Sequence, residues 1–344
     1  MPKVSHCFVA CVLFVHALSA APVVSPQDPA ILARLQAAER EQTLTDPAMK
    51  PWHLRISVQL FNEKGEPKET GSIEEWWAAP TSYRQTFEFP SYKATLLMTP
   101  TGQYVTDKAG AAPYELEELL RLVTHPFDTA AELQNASAVV REEKLGPTKA
   151  DCIVLDKKIK RIPYPPLGLF PTYCLQQGSN TLLMRSEISE ISALSAIGGF
   201  RGKHYPVDLR LLINNVRAGT EHVDKLEIID AAASELTNTD GLTNQNEVHL
   251  QMASEMAQAL LLKQVQPIYP GNARDRGASG VVVLEAKIGT DGRLHKISLL
   301  SAPNAELAVA AAVAVRQWEY KPAMVNGNPA EFRTTIQVIF QPEP

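Results

Sequence analysis

The side chains best suited to chemistry in this 344-residue chain are two cysteines and six histidines beyond the apolar N-terminal run. Cys152 and Cys174 lie too far apart along the chain to resemble a metal-ligand motif. An even cysteine count in an exported protein favours a disulfide, which here closes a loop of about 23 residues and contributes about 3 kcal/mol. Two free buried thiols are the alternative. We therefore predict a disulfide and no metal site.

The histidines are scattered one to an element, and none is spaced from another histidine, cysteine or aspartate as metal ligands are. The acidic pairs Glu74-Glu75 and Glu117-Glu118 are expected on exposed faces, where adjacent side chains do not converge on one point. Motifs of serine hydrolases, zinc proteases and nucleotide-binding loops are missing from the sequence. We expect no catalytic residue, no cofactor and no enzymatic activity.

Composition indicates a globular protein with more than one domain. Hydrophobic residues make up 45% of the chain and charged residues 21%, which suits buried cores. The formal net charge is -5 and the pI is about 6.0, so no overall basic field attracts nucleic acid. Nucleic acid is therefore not an expected partner.

The N-terminus has the pattern of a secretory signal. Lys3 is followed by an apolar run from Cys7 to Ala20 and by small residues suited to cleavage, so residues 1–21 are expected to be a signal peptide. The run is shorter than the roughly 20 residues that span a bilayer. The alternative is an uncleaved anchor reaching Val24. These alternatives place the protein in the periplasm, either released or held at the inner membrane.

Residues 22–49 are expected to form a helical lead-in, because apolar residues recur at helical spacing. From Trp52 the apolar residues recur at every second position, and short segments of alternating apolar and polar residues are separated by turn residues. This pattern predicts an antiparallel meander. Together with a helix over Pro113–Val123, it indicates an α+β domain over residues 50–230, with a strongly curved antiparallel sheet and helices on one side.

The segment 231–249 is rich in Ser, Thr, Asn and Asp, and we predict a linker. Residues 250–344 form the second predicted domain, which a helical pattern over His249–Leu262 introduces. Its order of strand, strand, helix and strand includes an Asp-Gly hairpin turn. The residues that mark this pattern are Tyr269, Pro270, Asp291, Gly292, Trp318, Tyr320, Pro322, Asn326 and Gly327.

In their order, these residues resemble the TonB C-terminal domain family over about residues 263–342. The resemblance implies a β-β-α-β domain whose last strand is at a sheet edge, where a peptide can add as a further strand. In that family the peptide is the TonB box of an outer-membrane transporter. The motif residues themselves are expected to cap the helix and fill the core. The implied binding edge is Arg333, Thr334, Thr335, Ile336, Gln337, Val338 and Ile339.

The N-terminal domain resembles LolA/LolB-like envelope proteins in its strand order, beginning with the Glu75-Trp76-Trp77 strand. That resemblance implies an open half-barrel covered by helices, with an apolar cavity for lipid acyl chains. A filled core is the alternative. Trp76 and Trp77 are adjacent on one strand, so only one of them can point into the core.

Three functions follow as hypotheses. The first is a periplasmic binding or adaptor protein that captures an extended peptide of an outer-membrane protein or of the cell wall. The second is an inner-membrane-anchored TonB-type energy transducer, although the chain lacks the long proline-rich spacer and the Ser-x3-His pairing of such proteins. The third is a lipid or lipoprotein carrier that uses the N-terminal cavity.

Overall fold

The computed structural model describes residues 29–106, 112–127, 137–156, 168–188, 190–245, 249–325 and 328–341. The predicted signal peptide lies outside these ranges. No helix within them is long and apolar enough to cross a membrane. The described helices are Pro29–Gln42 (α1), Tyr114–Thr124 (α2), Ser254–Ala259 (α3), Gly271–Asp275 (α4) and Ala305–Val315 (α5).

One antiparallel sheet forms the N-terminal domain. Its strands are Trp52–Phe61 (β1), Pro67–Ala79 (β2), Ser82–Glu88 (β3), Lys93–Thr99 (β4), Gly102–Thr106 (β5), Ser137–Leu145 (β6), Thr148–Asp156 (β7), Thr172–Gln176 (β8), Leu182–Glu187 (β9), Glu190–Phe200 (β10), Lys203–Ile213 (β11), Val216–Ile228 (β12) and Leu242–Gln245 (β13). The spatial order is β13-β5-β4-β3-β2-β1-β12-β11-β10-β9-β8-β7-β6. Two meanders therefore meet where β1 pairs with β12.

The period-two pattern of the sequence sets the two faces of this sheet. Along β1, Leu54, Ile56, Val58 and Leu60 are buried, and the residues between them are more exposed. This inner face packs against α1 and α2 in one apolar core. Helix α2 can approach β12 closely because residue 219 is glycine, where a Cβ would lie 2.9 Å from Leu119.

The adjacent tryptophans follow the prediction that only one is in the core. Trp77 is 1% exposed and stacks on Trp52, with ring centroids 5.7 Å apart. Trp76 lies on the other face and stacks on His53 at 4.4 Å.

The segment 231–249, predicted to be a linker, has structure of its own. It contains a 3-10 turn over Ser234–Leu236, followed by β13, which pairs with β5 at the edge of the large sheet. Its last residue begins β14 (His249–Gln251). The polar sequence does not predict these strands, because backbone hydrogen bonds at a sheet edge require little side-chain burial. The helix predicted over 249–262 is limited to the six residues of α3, because residues on both sides of it pair as strands.

The C-terminal domain is a smaller sheet with α5 against it. Its other strands are Leu261–Lys263 (β15), Gly280–Ile288 (β16), Leu294–Ser301 (β17), Glu319–Tyr320 (β18), Ala323–Val325 (β19) and Asn328–Phe340 (β20). The sheet order is β14-β20-β16-β17, and β19 pairs with the start of β20. Strands β15 and β18 pair with each other in a separate two-stranded sheet. Helix α5 starts at Asn304, whose side chain accepts a hydrogen bond from the Leu307 N–H at 2.9 Å.

The two domains are packed together. Val154, Leu169, Phe170 and Ile188 of the N-terminal domain lie within the apolar core of the C-terminal domain. Buried apolar surface therefore joins the two domains, in addition to the short connection between β13 and β14.

Candidate binding sites

The final strand, β20, carries the predicted peptide-binding residues. It pairs with β16 without interruption from Phe332, opposite Ile288, to Phe340, opposite Gly280. The even-numbered side chains of this stretch are buried. Arg333, Gln337 and Ile339 are exposed on the other face.

Backbone groups of alternate residues in β20 point away from β16. The carbonyl of Arg333 accepts a hydrogen bond from the Met252 N–H at 2.9 Å, and the carbonyl of Thr335 accepts one from the Ser254 hydroxyl at 2.8 Å. Because orientation alternates along a strand, the N–H and C=O groups of Gln337 and Ile339 point in the same outward direction.

The chain itself covers the beginning of this edge. Strand β14 runs parallel to β20 and pairs over Glu331–Arg333. The pairing therefore includes Arg333, the first residue of the predicted edge. In the described part of the chain, no strand pairs with Gln337 or Ile339 on the side away from β16.

An apolar strip accompanies the outward-facing backbone. Ile339 is 61% exposed, and its direct partner Val281 on β16 is 41% exposed. An extended chain pairing beside β20 would place alternate side chains on this same face.

The motif residues hold the C-terminal domain together. Trp318 is buried and donates a hydrogen bond from Nε1 to the Val265 carbonyl at 2.9 Å. Tyr320 is also buried and packs edge-on against Phe332. Tyr269 packs edge-on against Phe340, and its hydroxyl donates to the Ala278 carbonyl. Pro270 accepts a hydrogen bond from the Arg274 N–H at the start of α4.

The predicted Asp-Gly turn connects β16 to β17. Oδ1 of Asp291 accepts hydrogen bonds from the Arg293 N–H at 2.9 Å and from Nε2 of His295 at 3.0 Å. Gly292 has a φ of +77°, and the space beside it is filled by the Tyr320 carbonyl and the half-buried Pro322. Asn326 and Gly327 lie outside the described residues.

A second candidate site is a cavity of about 790 Å³ on the inner face of β2 to β5. Helices α1 and α2 lie across it, and Lys287, Thr290 and Glu331 of the C-terminal domain complete part of its wall. Its floor carries the aromatic side chains Trp77, Tyr83 and Phe87.

Glu75 lines this floor from β2 and is 3% exposed. Oε1 accepts a hydrogen bond from Nε2 of Gln85 at 3.3 Å, whereas Oε2 has no hydrogen-bond partner among the described residues. Burial raises the pKa of Glu75 to about 8, so this carboxyl group is mostly neutral at pH 7.

A cluster of charged side chains lies between α2, the N-terminal sheet and the C-terminal domain. Arg185 is buried within 3.4–3.6 Å of carboxylate oxygens of Glu118, Glu187 and Glu190. Arg316, from the end of α5, reaches Glu190 with Nη2 3.3 Å from Oε2. Burial and the neighbouring Glu118 raise the pKa of Glu190 to about 7. These charges join the domains across a buried surface.

His295 adds a further contact between the domains. Its Nδ1 lies 3.6 Å from Oε2 of Glu117 on α2. Burial is the largest single influence and disfavours the charged form, but the hydrogen bond to Asp291 and the charges of Asp291 and Glu117 together outweigh it, so the pKa of His295 is raised.

The expectation that both acidic pairs are exposed is wrong for one member of each pair. Glu75 points inward because it shares the phase of Ile73 and Trp77 on β2. Glu118 is 6% exposed, and its Oε2 accepts a hydrogen bond from Nε of Arg121 at 2.7 Å. The strand period predicts the inward direction of Glu75. Glu118 has one partner on its own helix, Arg121, but another partner, Arg185, comes from β9, and no local pattern connects Glu118 with Arg185.

The predicted disulfide is present between Cys152 and Cys174. The two residues are direct partners on β7 and β8. Both are fully buried, so this bond links neighbouring strands near the β6 edge of the large sheet. In the described ranges, no three His, Cys, Asp or Glu side chains are grouped so that they could hold a metal ion.

The fold therefore consists of a large sheet with a cavity and an adjoining small domain, whose last strand has an edge that other described strands leave partly unpaired. Residues 265–342 match the family described as "Gram-negative bacterial TonB protein C-terminal". Protein TonB of Vibrio cholerae serotype O1 is 38% identical over 86 residues, which are 25% of this chain and 35% of that protein. The C-terminal domain is thus similar in sequence to TonB C-terminal domains, and the chain matches about a third of the length of this relative.

Solved structures resemble each part of the chain separately. The solution structure of the Pseudomonas aeruginosa TonB C-terminal domain is 28% identical and covers 24% of this chain and 86% of its own, with a TM-score of 0.23. A LolA superfamily protein from Nitrosomonas europaea covers 59% of this chain and 97% of its own at 10% identity, with a TM-score of 0.39.

Proposed function

We propose that this chain is a cell-envelope adaptor that captures an extended peptide of an outer-membrane protein by adding it as a strand to β20. The observation that carries the proposal is the outward-facing backbone of Gln337 and Ile339, which the described strands leave unpaired. The TonB-type sequence of residues 265–342 supports an outer-membrane peptide as the ligand.

The geometry limits the length of β20 that is available for pairing with a peptide. Because β14 pairs over Glu331–Arg333 and Ser254 binds the Thr335 carbonyl, the added strand extends from about residue 335 towards the end of β20. Its backbone would bond to Gln337 and Ile339, and its alternate side chains would contact the exposed strip of Ile339 and Val281.

The test uses proline as a probe of the outward N–H. Gln337→Pro removes that donor but leaves the pairing between β20 and β16 intact, because residue 337 faces away from β16. Gln337→Ala keeps the donor and is the matched control. Val338→Pro, at the next residue, removes an N–H that faces β16. This variant is therefore the control for unfolding of the C-terminal domain.

Fluorescently labelled TonB-box peptides from the outer-membrane transporters of the host would be titrated with the full chain. We expect Gln337→Ala to bind within about threefold of the unaltered protein and Gln337→Pro to bind at least about tenfold more weakly, since a lost hydrogen bond costs about 1 kcal/mol and the proline ring obstructs pairing. Unchanged binding by Gln337→Pro, or no binding by the unaltered protein, would refute strand addition.

The proposed location is the periplasm, reached through the signal predicted over residues 1–21. Intact mass spectrometry of the protein from the host envelope tests this point. A mass lacking about 20 residues supports release. A full-length mass in the inner-membrane fraction would favour an anchored energy transducer instead.

A further inference from the structure

The cavity on the inner face of the large sheet holds a feature that peptide capture does not use. Glu75 is only 3% exposed, and its Oε2 atom has no hydrogen-bond partner among the described residues. A buried polar atom without a partner is costly, so its presence in a cavity wall points to a ligand that supplies the missing contact.

The strand register places aromatic rings beside Glu75 on β2 and β3, whereas its direct partner on β1 is Leu54. Glu75 on β2 is directly opposite Gln85 on β3, Trp77 is opposite Tyr83, and Ile73 is opposite Phe87. Diagonal neighbours in such a pair are about 7–8 Å apart, within the reach of large side chains. Trp77, Tyr83 and Phe87 therefore occupy three of the four positions around the Glu75–Gln85 pair.

A carboxyl group among aromatic rings favours a cation with an apolar body. The rings attract a positive charge through their faces, and the ionised carboxylate completes a salt bridge. A plain hydrocarbon chain would instead cover the Glu75 carboxyl without giving Oε2 a partner, which disfavours it. An anionic head group would be repelled by the carboxylate or would hold it neutral.

The cavity has the size of a site for a small organic molecule. Its volume of about 790 Å³ lies within the roughly 300–1,000 Å³ typical of such sites. The other charged or titratable groups of its wall, apart from two tyrosines, come from α1, from α2 and the residue after it, and from the C-terminal domain; they are Glu39, Glu117, Arg121, His125, Lys287 and Glu331.

We propose that this cavity binds a hydrophobic amine, an apolar molecule with one protonated amino group, and that its ammonium group pairs with the carboxylate of Glu75. The inference is independent of peptide capture by β20. Because Glu75 is a mostly neutral carboxyl at pH 7 before the amine binds, binding transfers the carboxyl proton to the buffer while the amine keeps its own.

The experiment is isothermal titration calorimetry of the full chain with three twelve-carbon probes: dodecylamine, dodecanol and laurate, all below their aggregation concentrations. We expect dodecylamine to bind at least about tenfold more tightly than the other two. Repeating the titration at pH 7 in buffers of different ionisation enthalpy should show release of close to one proton per amine bound.

Glu75→Gln is expected to abolish both the preference for the amine and the proton release, with dodecanol binding within about threefold of the unaltered protein. Glu88→Gln, on the exposed end of β3, is the matched control and should change neither property. Equal binding of the three probes, tighter binding of dodecanol or laurate, no binding, or amine binding without proton release would overturn the proposal. Proton release is measured on the unaltered protein, so the test does not depend on folding of the variant.

Discussion

The Arg316 guanidinium at the end of α5 lies with Nη2 3.3 Å from Oε2 of Glu190 on β10, and both side chains are less than one-tenth exposed. Tyr114 of α2 donates its hydroxyl to the same carboxylate, and Arg316 lies over the Tyr114 ring at 5.4 Å. A residue of the C-terminal domain therefore neutralises part of a buried acidic cluster that belongs to the other domain.

Removing the Arg316 guanidinium leaves Glu190 buried without this counter-charge. We expect Arg316→Ala to lower the free energy of unfolding by about 3–5 kcal/mol in urea titrations of the full chain. Arg276→Ala breaks an exposed pair with Glu306 and should cost about 1 kcal/mol or less. Equal effects of the two substitutions would show that the buried contact does not stabilise the domain interface.

The buried carboxyl of Glu75 should make stability fall as pH rises. Its folded pKa is about 8, above the ordinary value of 4.5, so the folded state binds more protons than the unfolded state between these two values. Stability that Glu75 contributes in its neutral form is therefore lost as pH rises towards 8.

Glu75→Gln removes this dependence. Relative to the unaltered protein, the variant should gain stability from pH 5 to pH 9 by about 4 kcal/mol, measured by urea unfolding at each pH. Glu88→Gln, on an exposed position, should show no such gain. A pH-independent difference between Glu75→Gln and the unaltered protein would contradict a neutral buried carboxyl.

Gly292 of the Asp-Gly turn should not tolerate a side chain. Its φ is +77°, and a Cβ would lie 2.0 Å from the Tyr320 carbonyl oxygen. Gly277 has a similar φ of +62° with nothing within 4 Å, so Gly277→Ala reports backbone strain alone. We expect thermal unfolding to show a loss of about 1 kcal/mol for Gly277→Ala and at least about 3 kcal/mol for Gly292→Ala. Similar losses would mean that the collision is relieved easily.

The Cys152–Cys174 bond should stabilise the N-terminal domain mainly by lowering the conformational entropy of the unfolded chain. Replacing both cysteines with alanine is expected to lower the free energy of unfolding by about 3 kcal/mol under oxidising conditions. In the presence of a thiol reductant, the unaltered protein should lose most of this difference in the free energy of unfolding. A double variant as stable as the oxidised protein would rule out this contribution.

Sequence periodicity was enough to predict the antiparallel sheet and that only one of Trp76 and Trp77 points into the core, because one face of each strand must meet the core. The same periodicity places Glu75 beside Trp77 on the inner face, yet its charge suggested exposure. The Arg316–Glu190 contact joins residues 126 positions apart, and no local pattern connects them. The sequence did not predict strand β13 for another reason. An edge strand that is held by backbone hydrogen bonds needs no apolar residues.

The pairing of β13 with one sheet and of β14 with the other leaves only residues 246–248 between them. Such a short connection spans about 14 Å at most when fully extended. If the contacts between the domains break, the C-terminal domain therefore remains at an effective concentration in the millimolar range or above near its docking surface. Opening of the interface would consequently be transient, and the orientation of β20 relative to the cavity would be restored by rapid intramolecular reassociation.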